Sequence, residues 1–220
     1  MGQFALELDN LNHKLLQMGG MAEAAIQRST SALLDRDENT ARQVIQNQPR
    51  IARLEMEIDG MVTRLLALYQ PVARDLRFLT SALKINSDLY RIGQLAVHVA
   101  ERSISLIHHP SVKPLEEIPQ MAAQVQSMLL LCLQAFVSGD SDMARSVLCL
   151  DNEVDTLRDA VYAKVQESMQ NSPEAVPPAV DLIFVARDLE RIGDHATNIA
   201  EDVLFLLKGE DIRRSVVPAR

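Results

Sequence analysis

The chain has no tryptophan, three tyrosines and five phenylalanines in 220 residues, so aromatics make up only 4% of it. β-Branched runs are equally scarce, while Ala, Leu, Met, Glu and Gln abound; that balance favours helix over sheet. Basic charge is in deficit. Against 30 Asp and Glu stand 22 Lys and Arg, a net charge of −8, so the basic footprint of a nucleic-acid binder is not expected. An acidic surface suits solubility, cations or a basic partner. The only cysteines, Cys132 and Cys149, have no metal-ligand or redox spacing and read as buried, reduced thiols of a cytoplasmic protein. No apolar run approaches the roughly 20 residues of a transmembrane helix; the longest, 128–133, is cut by Gln134 before 135–137. Residues 1–9 carry acids and no basic stretch, so no signal peptide is expected and any work at a membrane would go through partners.

Glycine and proline, eight and nine residues, cluster at a few places. Breaks fall at 35–37, at Gln70-Pro71, across 108–119 with Pro110, Pro114 and Pro119, at Gly139-Asp140, across 171–178 with three prolines, and at Gly209, a helix C-cap after Lys208. Between them lie six long segments of helical periodicity and no convincing strand alternation. In the last, Leu182, Val185, Leu189, Ile192, Ala196, Ile199, Val203 and Leu206 step by three and four, a seam for packing on neighbouring helices. Helices of about 30 residues are about 45 Å long and, joined by short turns, form antiparallel bundles.

One segment is written twice. Residues 188–201 read DLERIGDHATNIAE; residues 88–101 read DLYRIGQLAVHVAE. Thr40-Ala41-Arg42 and Val44 likewise match Met143-Ala144-Arg145 and Val147. Each half therefore reads as helix, turn, helix, turn, helix. The fold class is all-α, two tandem, sequence-related three-helix bundles arising by internal duplication. The expected organisation is a first bundle over 1–109, a linker over 110–119, a second bundle over 120–210 and a tail over 211–220.

The copies differ in their acids. With about 100° per residue and Ile192 on the seam, Glu190 and Asp194 fall within roughly 20° of the opposite side. Glu201 falls there too, with Asn198 nearby. Acids opposite a seam are ordinarily a solvated face. Here, however, Glu190 and Asp194 are four apart, and the preceding helix offers Asp151 and Asp155, also four apart. Laid side by side, four carboxylates repel unless a cation sits among them. All-oxygen ligation suits hard ions such as Mg²⁺, Mn²⁺, Ca²⁺ or iron. In the first half the equivalents are Gln48, Ala52, Tyr90 and Gln94, and Pro49 sits mid-helix, where a kink is expected. Asp88, His98 and Glu101 are the remaining first-half candidates. Gly93 and Gly193, unfavourable inside helices by about 1 kcal/mol against Ala, suggest a close approach of a neighbour or ligand at that level. Arg191 has Asp188 and Asp194 at pairing distance along its helix.

The doubled motif, together with QP-x-x-x-DLR at 70–77, MGGM at 18–21 and KGEDIRR at 208–214, resembles the PhoU family of bacterial phosphate-uptake regulators, from about residue 4 to residue 214. The resemblance implies paired three-helix bundles and a non-enzymatic adaptor that restrains the phosphate-starvation response. Its implied partners are the ATPase side of the high-affinity phosphate ABC transporter, a sensor histidine kinase and a second copy of the chain in a homodimer. It also implies metal ions on E/D-x-x-x-D steps, here Asp151, Asp155, Glu190 and Asp194; the family has acids at the Tyr90 and Gln94 positions too, and this chain does not.

Two alternatives stay open. A metal-free scaffold would use the outer acids against a basic partner. A metal-dependent bundle enzyme fits poorly, because inward Glu-x-x-His pairs are the usual device and no histidine here has Glu three residues before it. No nucleophile–base pair and no Gly-rich phosphate loop stand out.

Overall fold

The computed structural model describes residues 2–109 and 115–209. Helices α1 (Gln3–Asp35), α2 (Glu38–Tyr69) and α3 (Ala73–Ile107) form one antiparallel bundle, and α4 (Glu117–Ser138), α5 (Ser141–Asn171) and α6 (Val176–Lys208) form the second. No strand occurs among the described residues. Within the expected linker, α4 has already begun at Glu117; residues 110–114 and the expected tail 211–220 lie outside the described residues.

Equivalent turns use equivalent chemistry. Asp37 accepts from the backbone amides of Asn39 and Thr40 at the start of α2, and Asp140 accepts from those of Asp142 and Met143 at the start of α5. Each carboxylate satisfies amides that the first helical turn leaves unpaired. The residue before each cap is left-handed: Arg36 at φ 53° and Gly139 at φ 68°. Arg36 tolerates this conformation while its Nη2 donates to the carbonyls of Leu106, Ile107 and His109, closing the C-terminal end of α3. Pro49 lies exposed on α2, and the helix runs on through it. Pro173–Ala175 form a short 3-10 turn leading into α6.

The bundles do not fold around separate cores. One hydrophobic cluster runs from Leu11, Leu15 and Met18 of α1 through Ile85, Leu89 and Ile92 of α3 to Leu189, Ile192 and Ile199 of α6. The halves meet where α3 lies on α6 and α1 on α4. At α1–α4, Leu133 sits so close to Gly19 that a Cβ there would come within 2.6 Å of it. Along α3–α6 the helices run antiparallel, pairing residue 84 with 202, 88 with 195, 98 with 188 and 102 with 181. The two RIG motifs therefore face one another across the middle of this contact, related by a pseudo-twofold.

Candidate functional site

The four carboxylates expected to meet do share one groove. Asp151 and Asp155 come from α5, Glu190 and Asp194 from α6, and the space between the helices at this level is kept by Gly193. A Cβ on Gly193 would stand 3.7 Å from Asp151 Oδ1 and 3.6 Å from Val125, ordinary contact distances. The close approach expected at this glycine is therefore not found: Val125, Asp151 Oδ1 and Met128 all stand at ordinary contact distance from it. Thr197 Oγ1 donates to the same oxygen at 3.4 Å.

A cation does sit among the acids, and it is a side chain. Arg158, one turn beyond Asp155 on α5, donates from Nη1 to Asp155 Oδ1 at 2.8 Å and to Glu190 Oε1 at 2.7 Å. Its Nη2 and Nε reach Asp159 Oδ1. Hydrogen bonding to Asp159 foremost, with the charges of its other acid neighbours, holds the guanidinium's pKa above its usual value. The expected counter-charge here was a metal ion or a partner's basic group, not a side chain of the same helix. The signal was present: an arginine three residues past Asp155 lies on the same helix face.

Arg158 neutralises half the groove and leaves the rest. Burial, then the Asp155 charge, pushes Asp151 above the ordinary carboxylate range. Burial, then Glu190, Asp151 and Asp155, does the same to Asp194. Uncompensated negative potential is what a hard cation would relieve, and the donors are all oxygen, as such ions require. Yet among the described residues no three His, Cys, Asp or Glu side chains converge as a ready-made metal site. The donor chemistry fits a hard ion; the present arrangement, closed by Arg158, does not assemble one. Asn198 lies exposed and Glu201 half-buried further along α6.

The first half repeats the geometry with neutral groups. Gln48 Oε1 lies 3.8 Å from a Cβ placed on Gly93, as Asp151 does at Gly193. It is buried with no hydrogen-bond partner. Gln94 Nε2 donates to Tyr90 Oη at 2.9 Å, and Arg91 donates to Gln94 Oε1 at 3.0 Å. Gly93 is the tighter glycine, since a Cβ there would meet Ile51 Cδ1 at 3.0 Å.

The weaker first-half candidates do not gather with one another. Asp88 accepts from His195 Nδ1 at 2.7 Å, across the α3–α6 boundary. His98 Nδ1 lies 4.0 Å from Asp188 Oδ2, across the same boundary in the opposite sense. Glu101 stays on the exposed face of α3. Arg191, expected beside Asp188 or Asp194, makes a direct ion pair with neither, although its charge, after those of His98 and Arg187, helps restrain the rise that burial causes in Asp188.

The α3–α6 boundary is lined by a polar row that the hydrophobic seam concealed. Asp181 takes Arg102 at 3.1 Å and Ser105 Oγ at 2.6 Å, and Lys84 Nζ meets Asp202 at 3.2 Å. Asp181, Asp188 and Asp202 are all buried. On α6 the row is Asp181, Asp188, His195, Asp202, and on α3 it is Ser81, Asp88, Leu95, Arg102; each steps by seven. Seven-residue spacing drifts about 20° per step on an α-helix, so the row keeps beside the seam. That regularity, and not any acid–acid pair, was the available sequence signal.

Two fused copies of one three-helix domain, sharing a core and joined by exchanged acid–base pairs, define a duplicated helical-bundle protein. A PhoU domain model matches residues 15–103 and again 118–203. Over 212 residues, 96% of this chain and 88% of the relative, it is 39% identical to a phosphate-specific transport system accessory protein PhoU homolog of Pseudomonas aeruginosa. A Caulobacter vibrioides homolog of the same name is 37% identical over 207 residues, 94% of this chain and 90% of that one. The crystal structure of PhoU from Pseudomonas aeruginosa superposes with a TM-score of 0.91 at 38% identity, covering 94% of this chain and all of that one. The phosphate transport system regulatory protein PhoU from Streptococcus pneumoniae gives 0.89 at 28% identity, covering 95% and 99%. The chain belongs to the PhoU family. Its relatives are named as accessory and regulatory proteins, and like them it is not an enzyme.

Proposed function

We propose that the chain is a cytoplasmic negative regulator of phosphate uptake and of the phosphate-starvation response. It acts as an adaptor between the ATPase subunit of the high-affinity phosphate ABC transporter and a sensor histidine kinase. The observation that carries this reading is the match of both halves to the PhoU domain, with relatives along nearly the whole chain named for the phosphate-specific transport system. Such a role needs no catalytic centre. The transporter's conformational state biases which contacts the adaptor makes, and the kinase reads that bias. Contact with the membrane goes through these partners. The one described helix long and apolar enough to cross a bilayer, α4, is packed against α5, α6 and α1.

A homodimer belongs to the same reading. The outer side of α4 exposes Leu130 and Val137, and Leu6 is exposed on α1, apolar surface that a second copy would cover. The groove of Asp151, Asp155, Glu190 and Asp194 takes hard metal, of Mg, Mn, Fe or Ca, when Arg158 turns away. The raised Asp151 and Asp194 support this, and the neutral first-half equivalents, Gln48, Ala52, Tyr90 and Gln94, offer an ion no carboxylate at those positions.

Deleting the gene tests regulation directly. Alkaline phosphatase activity should rise in phosphate-rich medium; unchanged activity there overturns the adaptor role. Elemental analysis of untagged protein purified without chelator tests the ion separately. Metal retained in an Asp151→Ala/Glu190→Ala variant would refute the site.

A further inference from the structure

The buried acids of the α3–α6 boundary leave a basic strip above them. Just outside the buried row, α3 carries Lys84, Arg91 and His98 at seven-residue spacing, and α6 carries Phe184, Arg191, Asn198 and Phe205 at the same register. Neither row contains an acid, in a chain whose net charge is −8. Arg102 and Arg187 extend the strip; Asp181, Asp188 and Asp202 pair with Arg102, Arg187 and Lys84, the acids' side chains only 10%, 3% and 3% exposed and the cations' 42%, 49% and 42%. The carboxylates of Asp202 and Asp181 accept from Lys84 and Arg102 and are themselves covered, so the groups this surface presents to a partner are the cationic ends.

Both ends of the strip rest on aromatic rings. The guanidiniums of Arg102 and Arg187 lie 4.6 and 4.7 Å from the centre of the Phe184 ring. Lys84 Nζ lies 5.5 Å from that of Phe205 at the other end. Cations stacked in this way lose less freedom when they bind an anion. Each guanidinium also keeps outward donors free: Arg102 spends one on Asp181, and Arg187 stands 3.7 Å from Asp188 without a hydrogen bond.

We infer that this strip is a docking surface for an extended acidic segment of a partner protein. Its dimensions suit a chain more than a helix. From residue 84 to residue 102 is about 27 Å along α3 at ~1.5 Å per residue, which about eight extended residues span. The strip is one chain wide, because Glu101 on α3 and Asp194 on α6 lie one step further around their helices. The surface is a property of α3 and α6 and stands whether or not the chain regulates transport.

The probe is fluorescein-labelled octaglutamate, followed by anisotropy on the full chain at low salt. Saturable binding is expected, weakening as salt rises. The Arg91→Gln/Arg191→Gln variant should bind about tenfold more weakly; both side chains are exposed, and an unchanged thermal melt verifies the fold. Arg53→Gln/Arg145→Gln removes the same charge from exposed positions on α2 and α5 and should bind as the parent does. Tetraglutamate, too short to reach both ends, should bind more weakly than two-ended octaglutamate. Absence of saturable binding, equal loss in both double variants, or displacement of the peptide by inorganic phosphate at peptide-like concentrations overturns the proposal.

Discussion

Asp88 of α3 and His195 of α6 meet at 2.7 Å across the boundary between the two halves, and His98 faces Asp188 across the same boundary in the opposite sense. The duplicated helices have exchanged partners: the acid of each copy looks to a histidine of the other. Asp88 and His195 are only 15% and 19% exposed, so their hydrogen bond is made in a medium that strengthens it and penalises its loss. His195→Ala and Asp88→Ala should each destabilise the protein by about 1–3 kcal/mol in urea unfolding. The double variant should cost less than the sum. Strict additivity would show that the pair is not coupled.

Arg158 is the counter-charge of the acid groove. Arg158→Met should lower the melting temperature in chelator and increase the affinity for Mn²⁺ or Mg²⁺, because Asp155 and Glu190 are released to the ion. Calorimetry with and without metal separates the two effects. A variant that loses stability and gains no metal affinity would assign Arg158 as the groove's permanent cation.

The same groove sets a pH dependence. Burial and neighbouring acids raise Asp151 and Asp194 above the ordinary carboxylate range. The folded state therefore holds these protons more tightly than the unfolded chain. The stabilisation this gives is fully present below about pH 4 and is lost as pH rises through the raised values. Once both groups are ionised they repel. Asp194→Asn should then raise the melting temperature at pH 7 in chelator, and its advantage should shrink as pH falls to 4. A lower melting temperature at pH 7 would contradict the repulsion.

The paired glycines differ in how closely their neighbours approach. At Gly193 an added Cβ meets neighbours at 3.6 Å and beyond; at Gly93 it meets Ile51 at 3.0 Å. Gly193→Ala should stabilise by up to about 1 kcal/mol through helix propensity. Gly93→Ala should gain less or lose, since Ile51 must shift. Chemical denaturation of the two variants ranks them directly.

The two thiols should differ in reactivity. Cys132 is buried, donates to the Ala196 carbonyl at 3.1 Å, and burial pushes its pKa far above the usual thiol range. Cys149 is exposed. An aromatic disulfide reagent should label one thiol per native chain quickly and the second only on unfolding.

Much of this was legible in advance. Periodicity and punctuation placed the six helices, and the caps at Gly139-Asp140 and Gly209 fell as read. The seam residues from Leu182 to Leu206 are all buried. Helical spacing also put Asp151, Asp155, Glu190 and Asp194 in one groove, because a helix wheel and an antiparallel neighbour suffice to locate them. Arg158 was missed because interest fell on acids alone. Asp181, Asp188 and Asp202 were missed because a wheel ranks acids by distance from the seam and knows nothing of a second bundle; they are buried only because α3 lies over them.

The sequence by itself determined the helices, the duplication and the two chemically unequal copies, since propensity, caps and periodicity are local and a repeat is visible as text. Only the tertiary structure decided how the copies meet. Contact between α3 and α6 buries charges that either bundle alone would leave in water, and burial favours a partner on the opposite half, which Asp181 and Asp202 find at hydrogen-bond distance and Asp188 does not. The pairs Asp88–His195, Lys84–Asp202 and Arg102–Asp181 are therefore products of the antiparallel register, which no single segment encodes.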